Sequence, residues 1–114
     1  MSKSNNFSFP DNVVFRDEAQ EDFLQLDRSQ QIITAKAIVK VSQNPAPVTE
    51  GGYGKPLSGK LAGYMKIKIK AAGIRVVYEY IQTENGMDIV IIGMREDEEV
   101  YREAEKRINR SGKP

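Results

Sequence analysis

At 114 residues and 12.8 kDa the chain has room for one domain with a single core and not for two. Cysteine and histidine are both absent, which excludes disulfides, thiolate chemistry, the usual zinc sites and the usual neutral-pH base, so catalysis would have to run on Lys, Arg, Tyr or carboxylates. The net charge of +1 hides an uneven distribution. Residues 1–54 sum to −2 (five basic, seven acidic), 55–80 to +5 (six basic, one acidic) and 81–114 to −2 (six basic, eight acidic). A basic block inside a nearly neutral chain points to a localised anion site, with nucleic acid or a phosphate compound as partner.

Residues 1–10 read as a flexible N-terminus in which Phe7 and Phe9 can dock, residues 11–110 as the folded domain and 111–114 as a tail. No stretch is apolar enough to span a membrane, and MSKSNNFSF lacks a secretory pattern, so a cytoplasmic location is expected. Val13-Val14-Phe15 predicts a short strand. Asp17 is the candidate N-cap of a helix carrying Ala19, Phe23, Leu24 and Leu26. Ser29 is the candidate cap of a second helix over about 30–42, with Ile32, Ile33, Ala37 and Val41 as its apolar stripe and Lys36 and Lys40 facing water. The short link between them implies an antiparallel helical hairpin.

The run from Asn44 to Pro56 holds three prolines and three glycines and predicts a long mobile loop. From Tyr64 to Lys70 the chain alternates, with Tyr64, Lys66, Lys68 and Lys70 on one side and Met65, Ile67 and Ile69 on the other. Ala71-Ala72-Gly73 closes a hairpin into a buried strand over Ile74–Ile81. Asn85-Gly86 closes a second one, into the apolar strand Met87–Gly93. The acidic run Glu96-Asp97-Glu98-Glu99 suits a helix start and Lys106, Arg107 and Arg110 suit its end; Val100, Ala104 and Ile108 form its buried stripe. The order βααβββα predicts an α+β domain, a small antiparallel sheet with an N-terminal helical hairpin on one face and a C-terminal helix.

Residues two apart on a strand share a face, so Lys66 and Lys68 project side by side, and the adjacent strand can add Arg75. Arg95 and Tyr101 reach the same edge if the last strand pairs beside it. Four cations and a phenol suit cleavage of RNA by its own 2′-hydroxyl. Arginines clamp the non-bridging oxygens, either lysine can serve as base if crowding lowers its pKa, and the tyrosine can stack on a base or join the proton transfers. No metal or other cofactor is required. Lys55, Lys60 and Lys70 are further candidates for RNA contact. Taken singly these features have ordinary explanations: alternating lysine is most often a solvated outer face, and an acidic helix start serves the dipole.

Three segments, read together, resemble the RelE toxins of the RelE/ParE superfamily. They are KPLSGKL; the Lys66/Lys68 pair followed by Gly73, Arg75 and Tyr78; and Arg95-Glu96 followed by Val100-Tyr101. The resemblance implies a type II toxin that enters the ribosomal A site, cleaves mRNA by 2′-OH attack and inhibits translation. It implies a cognate antitoxin as partner, and a monomer or a toxin–antitoxin hetero-oligomer. It assigns the catalytic set to Lys66, Lys68, Arg75, Arg95 and Tyr101. The alternative within the superfamily is a ParE-like inhibitor of DNA gyrase without nuclease activity; the complete set favours RNA cleavage. Two positions depart from the pattern, Met94 and Ser58, where family members can carry basic residues.

Overall fold

The computed structural model describes residues 7–94 and 96–110. The elements run β1 (Val13–Phe15), α1 (Asp17–Gln25), α2 (Arg28–Ser42), β2 (Lys55–Pro56), β3 (Tyr64–Ile69), β4 (Ile74–Ile81), β5 (Gly86–Gly93) and α3 (Asp97–Arg110). They form one sheet ordered β1-β5-β4-β3-β2. The α+β class and the βααβββα order match expectation, with the two-residue β2 added at the edge. The sheet is mixed rather than wholly antiparallel. The three hairpin strands and β2 pair antiparallel, but β1 runs parallel to β5, and the helical hairpin after β1 carries the chain across the sheet to β2 at the opposite edge.

Helices α1 and α2 cover one sheet face, where Phe23, Ile38, Ile67, Ile74, Val76, Tyr78 and Ile89 make the main core. Phe7 and Phe9 extend it, meeting Phe23 edge-on at centroid distances of 5.3 and 5.9 Å. The opposite face carries a smaller core of Leu61, Val77, Val90, Ile91, Val100 and Ala104 beneath α3. Val90 is the extra residue of a β-bulge, since Val77 pairs with Ile91 and Tyr78 with Ile89. The bulge turns both Val90 and Ile91 toward α3. Gly93 lets the helix come close: a Cβ there would lie 2.9 Å from a Val100 methyl.

Several local details differ from the sequence reading. The N-cap of α1 is Arg16, with Asp17 in the first turn, because the Arg16 guanidinium binds Asp88 and Glu79 across the sheet at 3.0 Å each. Asp27, not Ser29, caps α2. Its carboxylate accepts the Gln30 N–H at 2.8 Å while the Gln30 side chain accepts the Asp27 N–H at 2.9 Å, a reciprocal capping box. The buried side of α2 is Thr34, Ala35, Ile38, Val41 and Ser42, so Ile32 turns outward and Ile33 and Ala37 sit at the boundary. Lys70 leaves the strand for a 3-10 turn that ends at Gly73 (φ +66°). At the second hairpin a similar turn over Gln82–Glu84 ends at Asn85 (φ +50°), with Gly86 already in β5.

The Asn44–Pro56 segment is a structured loop and not the mobile one its composition predicts. Tyr53 N–H donates to Asn44 O, Gly54 N–H to Ala46 O, and Val48 N–H to Gly54 O at 2.7–2.9 Å. The fully buried Tyr78 hydroxyl donates to the Pro45 carbonyl at 2.8 Å, tying the loop to the core from the central strand. Tyr78→Phe leaves that carbonyl unpaired and is expected to cost about 1–2 kcal/mol in urea unfolding with an unchanged m-value; an unchanged midpoint would show that the loop is held without it.

Candidate active site on the α3 face

Strand alternation sends Met65, Ile67 and Ile69 into the main core and Lys66 and Lys68 to the α3 face. Register brings the other cations beside them. Lys68 pairs directly with Arg75, Arg75 with Gly93, and Lys66 with Lys55 on β2. Like charges directly opposite on neighbouring strands repel, so this face needs a counter-charge.

Helix α3 supplies it. The Asp97 carboxylate lies between the two strands, with Oδ2 3.0 Å from Lys68 Nζ and Oδ1 accepting from Arg75 Nε. Its pKa is held below the ordinary value, chiefly by the Arg75 hydrogen bond and then by the one from Lys68. One turn on, Tyr101 lies under Lys66, whose Nζ is 5.9 Å from the ring centroid. The Tyr101 hydroxyl is buried and finds no hydrogen-bond partner among the described residues. Burial raises its pKa, the Asp97 charge adds to that, and Arg75 opposes it. The phenol therefore stays protonated at neutral pH.

The structure thus brings Lys66, Lys68, Arg75 and Tyr101 together on one face. Arg95 lies outside the described residues. Of the further lysines, Lys55 stands beside Lys66 on the edge strand, Lys60 is exposed on the turn before β3, and Lys70 is exposed on the turn after it. The sequence reading gave the acidic run 96–99 a helix-start role, with a carboxylate base as the open alternative, and did not foresee Asp97 as a counter-charge. It gave Arg107 a helix-end role and overlooked its partner Asp22. Arg107 donates to Asp22 at 2.8 Å and to the Val90 carbonyl at 3.0 Å, and Asp22 also accepts the Ile92 N–H at 2.9 Å, which anchors α3 to α1 and β5. The Arg107/Glu103 spacing was the visible signal for part of this network.

Among the described residues no group of three or more His, Cys, Asp or Glu is disposed to hold a metal ion, and no helix is long and apolar enough to cross a membrane.

By fold and site this is a small α+β domain with a cationic sheet face closed by a C-terminal helix. No protein-family profile matches the chain. It is 33% identical over 99 residues to a RelE-like toxin protein of Escherichia coli, covering 84% of this chain and 95% of that one. It is 30% identical over 94 residues to the mRNA interferase toxin RelE of E. coli K12, covering 82% and 93%. Among solved structures, isolated E. coli RelE superposes with a TM-score of 0.63 at 28% identity over 84% of this chain and 96% of that one. An E. coli RelE variant bound to a peptide of the antitoxin RelB gives 0.63 at 26% identity, covering 81% and 90%. The chain belongs to the RelE family of toxins.

The carboxyl of Asp97 is expected to titrate below the ordinary value of 3.8, as read by carbon NMR of its side chain. Because the folded-state value is the lower one, the tie to Lys68 and Arg75 contributes stability above the ordinary value and loses it as pH falls through the lowered midpoint. An unshifted midpoint would mean that the carboxylate does not hold these cations in solution.

Proposed function

We propose that this protein is the toxin of a type II toxin–antitoxin pair, an endoribonuclease that cleaves mRNA in the ribosomal A site and so inhibits translation. The observation that carries this is the meeting of Lys66, Lys68, Arg75 and Tyr101 on one face under the start of α3, within a chain whose relative is named an mRNA interferase. The RNA's 2′-oxygen attacks its own phosphorus, forming the O–P bond of a 2′,3′-cyclic phosphate and expelling the 5′-oxygen, which takes a proton and leaves as a hydroxyl. Lys66 is the better-placed base, since Lys68 is occupied by Asp97. Arg75 and Arg95 stabilise charge on the non-bridging oxygens, and Tyr101 stacks on a base or donates a proton.

The reaction is metal-independent in this reading. The chemistry of the set supports it: ammonium, guanidinium and phenol groups repel or ignore a metal cation but neutralise a phosphorane directly. Lys55, Lys60 and Lys70 extend the basic surface along the message. The partners are the ribosome, mRNA and a cognate antitoxin, in keeping with the RelB peptide bound by E. coli RelE, and the toxin is cytoplasmic, alone or in a hetero-oligomer with that antitoxin.

Programmed ribosomes incubated with the protein should yield message fragments ending in a 2′,3′-cyclic phosphate, abolished by a single 2′-deoxy substitution at the cut site, and a phosphorothioate at the cut phosphate should show no rescue by manganese. Arg75→Ala should lower the single-turnover rate by about 10²–10³-fold, the scale of losing one preorganised donor to a developing oxyanion. Intact message at stoichiometric toxin would overturn the assignment, and manganese rescue of cleavage in a message carrying sulfur on the cut phosphate would overturn its metal-free chemistry.

A further inference from the structure

We infer that Asp97 is the resident anion of the phosphate subsite: its carboxylate occupies Lys68 and Arg75 in the free protein and is exchanged for a substrate phosphate, setting the affinity for RNA. The inference rests on the reading above that these two cations meet an RNA phosphate. Three observations support it.

The first is geometric. Lys68 and Arg75 are cross-strand neighbours, and the carboxylate bridges them with one oxygen to each, the contacts that two non-bridging phosphate oxygens would make. The second is freedom to leave. The Asp97 side chain is 36% exposed, and it stands at the first position of α3, so a rotamer change releases both cations without unwinding the helix. The helix itself stays anchored by Val100 against Gly93 and by Arg107 on Asp22 and the Val90 carbonyl. The third is electrostatic balance. With Asp97 in place the Lys68/Arg75 pair carries one net positive charge; with it turned away, the pair carries two, matched to an incoming phosphodiester and the extra charge of its transition state.

Asp97 acts through the cations it holds and is in this sense a positioning residue. It keeps two like-charged side chains side by side and pre-oriented while no substrate is bound. It also competes with every anion that approaches, so an anion must displace a carboxylate from both cations before it binds.

Inorganic phosphate is the first probe, since its binding does not depend on cleavage. Titrated by NMR into the folded parent protein, it should move the Asp97 carboxyl resonance together with the Lys68 Nζ signals. Asp97→Asn should bind phosphate about tenfold or more tightly, the scale of removing a charge-assisted competitor. Asp97→Ser provides the same test should the asparagine variant fold poorly, and Glu98→Gln, on the exposed side of the same turn in a pair with Arg102, should leave phosphate affinity unchanged. On programmed ribosomes Asp97→Asn should lower KM with kcat kept or raised.

Tighter phosphate binding by the Asp97 variants with no message cut by any form would remove the nuclease assignment and leave this inference standing. Equal phosphate affinity in parent and variant, or a phosphate-saturated parent whose Asp97 resonance has not moved, would overturn it even if the protein cleaves RNA. Loss of kcat at unchanged phosphate affinity would also overturn it, by placing the carboxylate in the chemistry.

Discussion

The placement of α3 depends on one partly buried ion pair. Arg107 keeps only 12% of its side chain exposed and spends its guanidinium on Asp22 and on the Val90 carbonyl. Asp22 in turn accepts the Ile92 N–H, a backbone donor on the stretch of β5 beyond the end of its pairing with β1. One carboxylate therefore satisfies a sheet edge and a helix from the other face at once. Such a pair is costly to desolvate, and its value lies in geometry more than in net stability. Gly93 fixes the other end by letting Val100 approach the sheet. Between these two points the first turns of α3 lie over the cations, which is how Asp97 and Tyr101 come to be there.

The basic segment takes its meaning from this arrangement. Spread over a surface, its lysines and arginine would be ordinary solvated charge. Folded, they pair Lys55 with Lys66 and Lys68 with Arg75 across adjacent strands, where like charges raise the energy of the sheet. The fold tolerates this through groups from α3: a carboxylate for one pair and an aromatic face for Lys66. In the proposed function, stability and function pull in opposite directions here. The Tyr101 hydroxyl, without a partner among the described residues, is a second sign of the same tension, since a buried donor without an acceptor costs free energy.

What could be read from the sequence was whatever depends on near neighbours. Strand alternation at Lys66 and Lys68, the two hairpins and the charge gradient of α3 are local patterns, and the structure carries them. The Asn44–Pro56 loop was misjudged because its order comes from Tyr78, 33 residues away, while its composition speaks only for backbone freedom. The helix caps moved by one or two residues because Arg16 is drawn off by Asp88 and Glu79, and because Gln30 completes a box that only Asp27 can close. Lys70 left the strand for the following turn because the strand ends one residue earlier than the alternation does. The site was legible as a set of cations and a phenol. Its counter-charge was not, since Asp97 sits in an acidic run that helix electrostatics already explains, and its partner Arg75 is 22 residues back.

That hidden counter-charge changes how the low net charge should be understood. On the proposed function the protein meets ribosomal RNA and would gain from positive charge at long range, but its net charge is only +1. The +5 segment still creates a local field, and the acidic residues that offset it are not all remote: Asp97 lies inside the site. Charge held back by an internal partner does not attract RNA from a distance. It becomes available only at contact, when a phosphate close enough to take both cations replaces the carboxylate. Affinity for loose polyanions is thereby reduced relative to affinity for a chain already held in register beside the site. If, as proposed, the substrate is threaded through the ribosome, that assembly supplies the encounter, and the domain itself needs only a pair of cations that are released by a correctly placed phosphate.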